Sequence, residues 1–253
     1  ILVRLEVSNE GTRLLALTGL KRMSDMTELL LQDCQLERLP SALVALANLR
    51  SLDLQHNNLR TLEELLTLSH LRRLSTFRLA YNRILSLPAS VGMLRGLELL
   101  DLSNNQLRSL PPALFTLRCL RKLLLSGNLL ESLPPELFNG CLELRILNVA
   151  HNSLCSLPRG ISGLSQLCRL DLRSNCLEEL PAELGCCPGL HAGGLLVEDW
   201  LFHSLPLNTR DVLSHPHSTC GAYSEERSRP ESDSFPYFSP TLWSFSSALE
   251  SQI

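Results

Sequence analysis

Large apolar residues, most of them leucine, recur in a fixed frame between Met26 and Pro181, and polar residues fill the positions between them. Residues 97–111, LELLDLSNNQLRSLP, give this frame as L-x-x-L-x-L-x-x-N-x-L-x-x-L-P. The asparagine position recurs seven times, at intervals of 23, 25, 23, 23, 24 and 23 residues. Such a period predicts seven copies of one small unit that stack on each other, because no single copy can bury its apolar side alone.

Within one copy, the alternation of L-x-L predicts a short strand with Leu100 and Leu102 on its buried side. Leu107, Leu110, Leu114 and Leu117 then supply buried side chains on the return path. This frame resembles that of the leucine-rich repeat. We therefore expect an α/β fold, a curved leucine-rich-repeat solenoid with parallel strands on its concave face and short helices or turns on its convex face.

The preference for asparagine at this position of the frame has a separate physical reason. The chain turns there, and a buried amide side chain can both donate to and accept from the backbone groups that the turn leaves unpaired. We expect these residues to form a structural ladder from repeat to repeat. The asparagine ladder consists of Cys34, Asn57, Asn82, Asn105, Asn128, Asn152 and Asn175.

The frame divides the chain into four predicted parts. Residues 1–25 form an irregular N-terminal repeat, and residues 26–181 form the seven leucine-rich repeats. Residues 182–213 are a C-terminal cap that closes the core, with Trp200 and Phe202 as its plug. Residues 214–253 are rich in serine and proline, and we expect this tail to be disordered. Its aromatic residues, between Phe235 and Phe245, leave open a contact with a partner or with the solenoid.

Two repeats are longer than the others. The third has two additional residues within residues 61–74, a stretch of good helix formers that predicts a longer helix on the convex side. The sixth has one additional residue near Asn139 and Gly140, where the Asn-Gly pair predicts a turn.

Composition places the chain among ordinary globular proteins, with 253 residues, 44% of them hydrophobic, and a net charge of −3. This charge gives no reason to expect nucleic acid as a partner. No apolar run reaches 18 residues, so we expect no membrane span, and because the sequence begins at Ile1 we expect a fragment whose upstream part is missing. The nine cysteines include no C-x-x-C pair and predict reduced thiols, with Cys34 and Cys176 buried in or beside the asparagine position.

Motifs of catalysis and of cofactor binding are missing from the sequence. It contains no phosphate-binding glycine loop, nucleophile elbow or H-E-x-x-H motif. His56 and His151 each precede a ladder asparagine, which is a consequence of the repeat rather than of a shared site. His215, His217 and Cys220 could take up a stray divalent ion, but three ligands in a tail do not make a designed site. We expect no enzyme activity, no cofactor and no metal.

The concave face is the surface for which the sequence suggests a function. We expect its exposed positions to include Glu28, Arg50, Asp53, Arg78, Glu98 and Asp101, and cations gather in its last three repeats. We call this group the basic stripe: Arg121, Lys122, Arg145, Arg169 and Arg173, with Asp171 among them. It is either a solvated face whose charges give solubility or a site for an acidic peptide or a neighbouring subunit.

Two stretches are more specific than the repeat frame. Residues 11–23, GTRLLALTGLKRM, lead into the long third repeat, and the cap reads GLLVEDWLFHSLP over residues 194–206. Together they closely resemble the cytoplasmic C-terminal half of the leucine-rich-repeat subunits of the volume-regulated anion channel, over residues 1–212. Residues 191–193 and 208–209 depart from the charged residues usual in that family, and the tail matches nothing in it.

The resemblance implies a cytoplasmic regulatory or assembly domain. Its full-length relatives form hexamers of equal or mixed subunits in the plasma membrane, with this domain on the cytoplasmic side, and they pass chloride and organic osmolytes when cells swell. Other channel subunits and cytosolic regulatory proteins would be its partners, and only missing upstream segments would enter the membrane. The alternative is a freestanding cytosolic scaffold that binds Ras-like GTPases or phosphatases. Without cysteine-rich caps or N-x-S/T sites, a secreted receptor is disfavoured.

Overall fold

The computed structural model describes residues 4–8, 24–191 and 193–215. Contacts within the chain separate residues 1–217 from residues 218–253, and every described residue belongs to the first unit.

Nine parallel strands form one open sheet in chain order, each paired with the strand of the next repeat. They are β1 (Arg4–Ser8), β2 (Glu28–Gln32), β3 (Ser51–Asp53), β4 (Thr76–Arg78), β5 (Leu99–Asp101), β6 (Lys122–Leu124), β7 (Ile146–Asn148), β8 (Arg169–Asp171) and β9 (Leu195–Leu196). The register aligns equivalent positions of the frame, so that Leu100 pairs with Leu123 and Leu123 with Leu147. These leucines are fully buried, which confirms the L-x-L interpretation.

Short helical segments return the chain behind the sheet, as the sequence predicts. Most are 3₁₀ helices: Ser41–Ala45, Glu63–Thr67, Ala89–Met93, Pro112–Thr116, Arg159–Gly163, Ala182–Cys186 and Pro188–Leu190. The proline of the frame holds an extended conformation immediately before several of them, as Pro88 does before Ala89–Met93. Proline suits this position because its ring fixes φ near −65°, a value that the extended conformation accepts, and because proline has no N–H that needs a partner.

The longer helix predicted for the third repeat is wrong. The segment Glu63–Thr67 has five residues, like its counterparts. The additional residues instead extend the connection to β4, in which Leu68, Leu71 and Leu74 are all buried and each successive N–H donates three residues back. Burial of one more leucine explains why the insertion stays on the core instead of bulging outward.

The turn predicted at Asn139 and Gly140 is also wrong, because both residues belong to the helix α1 (Glu136–Gly140). The Cys141 N–H donates to the Leu137 carbonyl, four residues back, so the extra residue widens a 3₁₀ turn into an α turn. Gly140 is required there, because a Cβ atom at this position would overlap the Phe115 carbonyl oxygen of the preceding repeat.

The last elements cover the end of the core. After β9 come α2 (Asp199–Phe202) and α3 (Leu207–Ser214), from which Leu201 and Leu213 are buried. Phe202 packs against the core, but Trp200 is 60% exposed, so its predicted role as a plug is wrong. Leu201 is the residue of α2 that turns inward, and successive helix residues are about 100° apart, which directs the indole outward.

Candidate functional site

The asparagine ladder lies at the end of the strands where the chain turns. The Asn128 carboxamide oxygen accepts the Leu107 N–H of the preceding repeat at 3.0 Å. Its Nδ2 donates to the Leu102 carbonyl of that repeat at 2.9 Å and to the Leu125 carbonyl of its own repeat at 3.0 Å. Asn57, Asn82, Asn105, Asn152 and Asn175 have the same pattern of partners. At the first position, the Cys34 thiol donates to the Val7 carbonyl instead.

A row of residues with left-handed backbone lies immediately before the ladder. The repeat frame of the sequence did not predict it. The row consists of Asp33, His56, Tyr81, Asn104, Gly127, His151 and Ser174, with φ between 53° and 70°. Its sequence signal is incomplete: glycine, asparagine, aspartate and histidine are enriched in this conformation, whereas Tyr81 and Ser174 are not typical of it. The rings of His56 and Tyr81 stack, with centroids 4.5 Å apart and planes 7° from parallel. The two histidines singled out in the sequence therefore lie in one row but four repeats apart.

The middle position of L-x-L is buried wherever it carries a carboxylate, which corrects the expected exposure of Asp53, Asp101 and Asp171. These residues are only 5–7% exposed. Each accepts the backbone N–H two residues further on, at 3.0–3.2 Å, and Asn148 does the same in β7. These carboxylates therefore fasten the strand to the turn that follows it.

Burial raises the pKa of Asp101, and the neighbouring carboxylate of Asp53 adds to this, whereas the bonds to Ser103 and the charge of Arg78 lower it without cancelling it. Folded protein thus holds the Asp101 proton more tightly than unfolded protein. Stability contributed by this group is present at low pH and is lost as pH rises from the ordinary aspartate pKa through the raised one.

We therefore expect Asp101→Asn to raise the free energy of unfolding at pH 7, because the amide can accept the same N–H without a buried charge. Asn148 is the precedent. Urea unfolding at pH 4 and pH 7 measures the effect, and the advantage of the variant should grow between the two. A variant that is less stable than the wild type at pH 7 would show that the attraction of Arg78 outweighs burial.

The structure divides the basic stripe into two groups. Arg121 and Arg145 are neighbours immediately before β6 and β7, and the Arg145 N–H donates to the Arg121 carbonyl at 2.8 Å. Lys122 and Arg169 lie one position further along, on either side of Ile146. These four cations form a cluster at the start of the strands. The Glu98 carboxylate lies 3.4 Å from the Arg121 guanidinium at its edge.

Arg173 and Asp171 form the second group, at the opposite end of β8. The guanidinium makes two bonds to the carboxylate, of 3.0 and 2.6 Å, so this pair is locally neutral. The net positive charge of the stripe therefore resides in the four-cation cluster.

Metal ligands and thiols were the other candidate groups in the described part of the chain. Its histidine, cysteine and acidic side chains form no group of three that could hold a metal ion. Its eight cysteines are free thiols, and Cys176 is exposed, so the burial expected for it is wrong, whereas Cys34 is buried. Burial raises the pKa of both Cys141 and Cys187 to about 11, which keeps these thiols protonated at neutral pH.

Family comparisons agree with this geometry. Two models described as leucine-rich repeat match residues 48–71, 72–130 and 118–177, which together make up about half of the chain. The chain belongs to the leucine-rich repeat family. A solved leucine-rich repeat protein of Leptospira interrogans matches this leucine-rich repeat chain with a TM-score of 0.71 and 28% identity over 77% of this chain and 48% of its own.

Among curated proteins, the repeat region is homologous to subunits of the volume-regulated anion channel. It is 47% identical to human subunit LRRC8D over 90 residues, which are 36% of this chain and 10% of that subunit. It is 45% identical to human subunit LRRC8A over 93 residues, 37% of this chain and 12% of that subunit. The matched segment thus spans about a tenth of each relative. Among the described residues, no helix has the length and apolar character needed to cross a bilayer.

Proposed function

We propose that this leucine-rich repeat domain is the cytoplasmic regulatory and assembly domain of a volume-regulated anion channel subunit. The homology of its repeats to LRRC8D and LRRC8A is the observation that carries the proposal. In the complete protein, the pore would conduct chloride and small organic osmolytes, and the repeats would contact neighbouring subunits. Several different subunits, among them LRRC8A, LRRC8B and LRRC8D, are similar to the chain, which supports mixed assemblies.

A chimera tests the proposal. The repeats of LRRC8D are replaced by residues 26–213 of this chain, and the chimera is expressed with LRRC8A in cells that lack both subunits. We expect it to co-purify with LRRC8A and to support an anion current when the cells swell. A chimera that reaches the cell surface but neither co-purifies nor conducts would contradict the proposal.

The contact with a neighbouring subunit is assigned to the basic stripe. Arg121→Glu, Arg145→Glu and Arg169→Glu, combined in the chimera, should reduce co-purification with LRRC8A at least tenfold and leave the melting temperature of the isolated domain unchanged. Exposed ion pairs such as Arg121–Glu98 contribute less than about 1 kcal/mol, so the fold should survive their loss. Equal binding by the variant would exclude the stripe as the contact.

A matched control makes the same change of charge elsewhere. Arg60, Arg83 and Arg108 are exposed on the side of the repeats that follows the ladder, away from the strands. Their replacement by Glu should leave co-purification intact. Loss of binding in both triple variants would show that net charge, not the stripe, governs the interaction.

A further inference from the structure

An apolar group lies inside the four-cation cluster. Leu99, Leu124 and Ile146 alternate with the buried leucines of β5, β6 and β7, so they lie on the face of the sheet turned away from the core. All three remain partly exposed. We call this side of the strands the open face. The apolar group on it is only partly buried, whereas the alternating leucines on the other side are fully buried in the core.

Lys122 stands at the centre of this group. It is the register partner of Leu99 on one side and of Ile146 on the other, and Leu124 follows two positions along the same strand. Adjacent strands are about 4.8 Å apart, so the ammonium group rises between two apolar neighbours. Lys122 has no ion-pair partner in the part of the chain that the structure describes. A cation without an ion-pair partner that is flanked by apolar side chains is complementary to a carboxylate that has an apolar side chain beside it.

The cap presents that combination. Asp199 is exposed at the first position of α2, and the neighbouring Trp200 is 60% exposed, although tryptophan is one of the most favourable residues to bury at an interface. The carboxylate of the preceding Glu198 already has a hydrogen-bond partner, because it accepts the Ser174 N–H at 2.6 Å. Asp199 and Trp200 therefore form the outward corner of the cap.

We propose that the Asp199–Trp200 corner of one chain docks on the Lys122 patch of a second copy, with the indole on Leu99, Leu124 and Ile146 and the Asp199 carboxylate against Lys122. The inference rests on the proposed contact through the basic stripe and names its partner. The two surfaces lie on different parts of the chain, so the contact is head-to-tail. Repetition of such a contact gives a ring when the rotation closes and an open chain of subunits when it does not, and a channel of several subunits requires the ring.

Sedimentation velocity of the 253-residue chain over a concentration series tests the contact. The wild type should form species larger than a dimer, because every bound copy leaves one corner and one patch free. Trp200→Ala should weaken self-association at least tenfold. Lys122→Glu and Asp199→Lys should each weaken it and reverse its dependence on salt, because salt then screens a repulsion between like charges. A chain that stays a monomer up to millimolar concentration, or a Trp200→Ala variant that associates like the wild type, overturns the inference.

Mixing two of these variants gives a sharper test. Lys122→Glu keeps an intact corner and Trp200→Ala keeps an intact patch, so at a concentration at which each alone is monomeric their equimolar mixture should form a heterodimer of twice the 28.2 kDa chain. Nothing larger should form, because the surfaces that remain free lack the indole and place two carboxylates against each other. A mixture that stays monomeric, or forms larger species, contradicts a head-to-tail contact. Melting temperatures of the single variants exclude misfolding, because the substituted side chains are exposed or half-buried.

These experiments distinguish failure of the proposed contact from failure of the proposed function. A channel chimera that conducts while the chain neither self-associates nor responds to Trp200→Ala would retain the function and reject this partner. Binding of an acidic peptide from another protein by a chain that remains monomeric would likewise reject the second copy as the occupant. If Trp200→Ala abolishes self-association but the chimera carries no anion current, the proposed contact is supported and the proposed channel function is rejected.

Discussion

Asn128→Ala should lower the free energy of unfolding by about 1–3 kcal/mol, because it leaves the buried Leu107 N–H without a partner. The carbonyls of Leu102 and Leu125 also lose the Asn128 amide as a donor, but each keeps the Nδ2 group of a neighbouring ladder asparagine. Leu107 and Leu102 belong to the preceding repeat, so the substitution weakens the attachment between repeats as well as the turn itself. Urea unfolding followed by circular dichroism measures the loss.

Asn208→Ala is the control for this prediction. Asn208 is exposed in α3, where alanine is a better helix former, so its replacement should change stability by less than about 0.5 kcal/mol. Equal effects of the two substitutions would mean that the ladder amide is exchanged for water at little cost and that the apolar frame alone holds the repeats together.

Leu123→Ala should cost about 2–5 kcal/mol, because it opens a cavity in the middle of the row of fully buried strand residues. The neighbouring Leu124→Ala, on the same strand but on the open face, should cost less than about 1 kcal/mol. The pair compares identical changes of side chain one residue apart, so differences in unfolded-state properties largely cancel.

Chemical denaturation at concentrations that keep the chain monomeric measures both variants. If Leu124→Ala is as destabilising as Leu123→Ala, Leu124 belongs to the core and cannot serve as a docking surface. The further inference depends on this distinction, because it requires the open face to carry apolar side chains that folding does not use.

Neighbouring residues of a strand have different roles, because they lie on opposite faces of the sheet. The buried side holds the repeats together through identical leucines. The open side varies from repeat to repeat: carboxylates occupied by backbone N–H groups in β3, β5 and β8, and an apolar group with a lysine at β6. The proposed recognition is therefore assigned to the open side, at the four-cation cluster.

Much of this could be predicted from sequence. The period of the frame and the alternation of L-x-L indicate the parallel strands, the buried leucines and the helical return path, and the fold agrees with them. Periodicity succeeds here because each repeat contacts mainly its neighbours, so one local pattern is enough to define the whole stack. The position of Arg121 beside Arg145 follows from the same register.

Other features depend on contacts that no repeat frame contains. Asp101 is buried by its own turn and by residues of adjacent strands, although its position alternates with the core leucines. The extra residues before β4 add one more buried leucine to the connection and form no longer helix. The extra residue of the sixth repeat widens α1, with Gly140 held close to the Phe115 carbonyl.

By itself, the sequence determined that this chain is a stack of leucine-rich repeats and that the cations of its concave face gather in the last three repeats, because equal spacing forces equal residues into rows. Only the tertiary structure decided which polar side chains are occupied, that Lys122 stands among apolar neighbours, and that Trp200 points outward. The physical reason is that exposure depends on what lies across from a side chain in the next strand or helix, and in the cap no repeat specifies that neighbour.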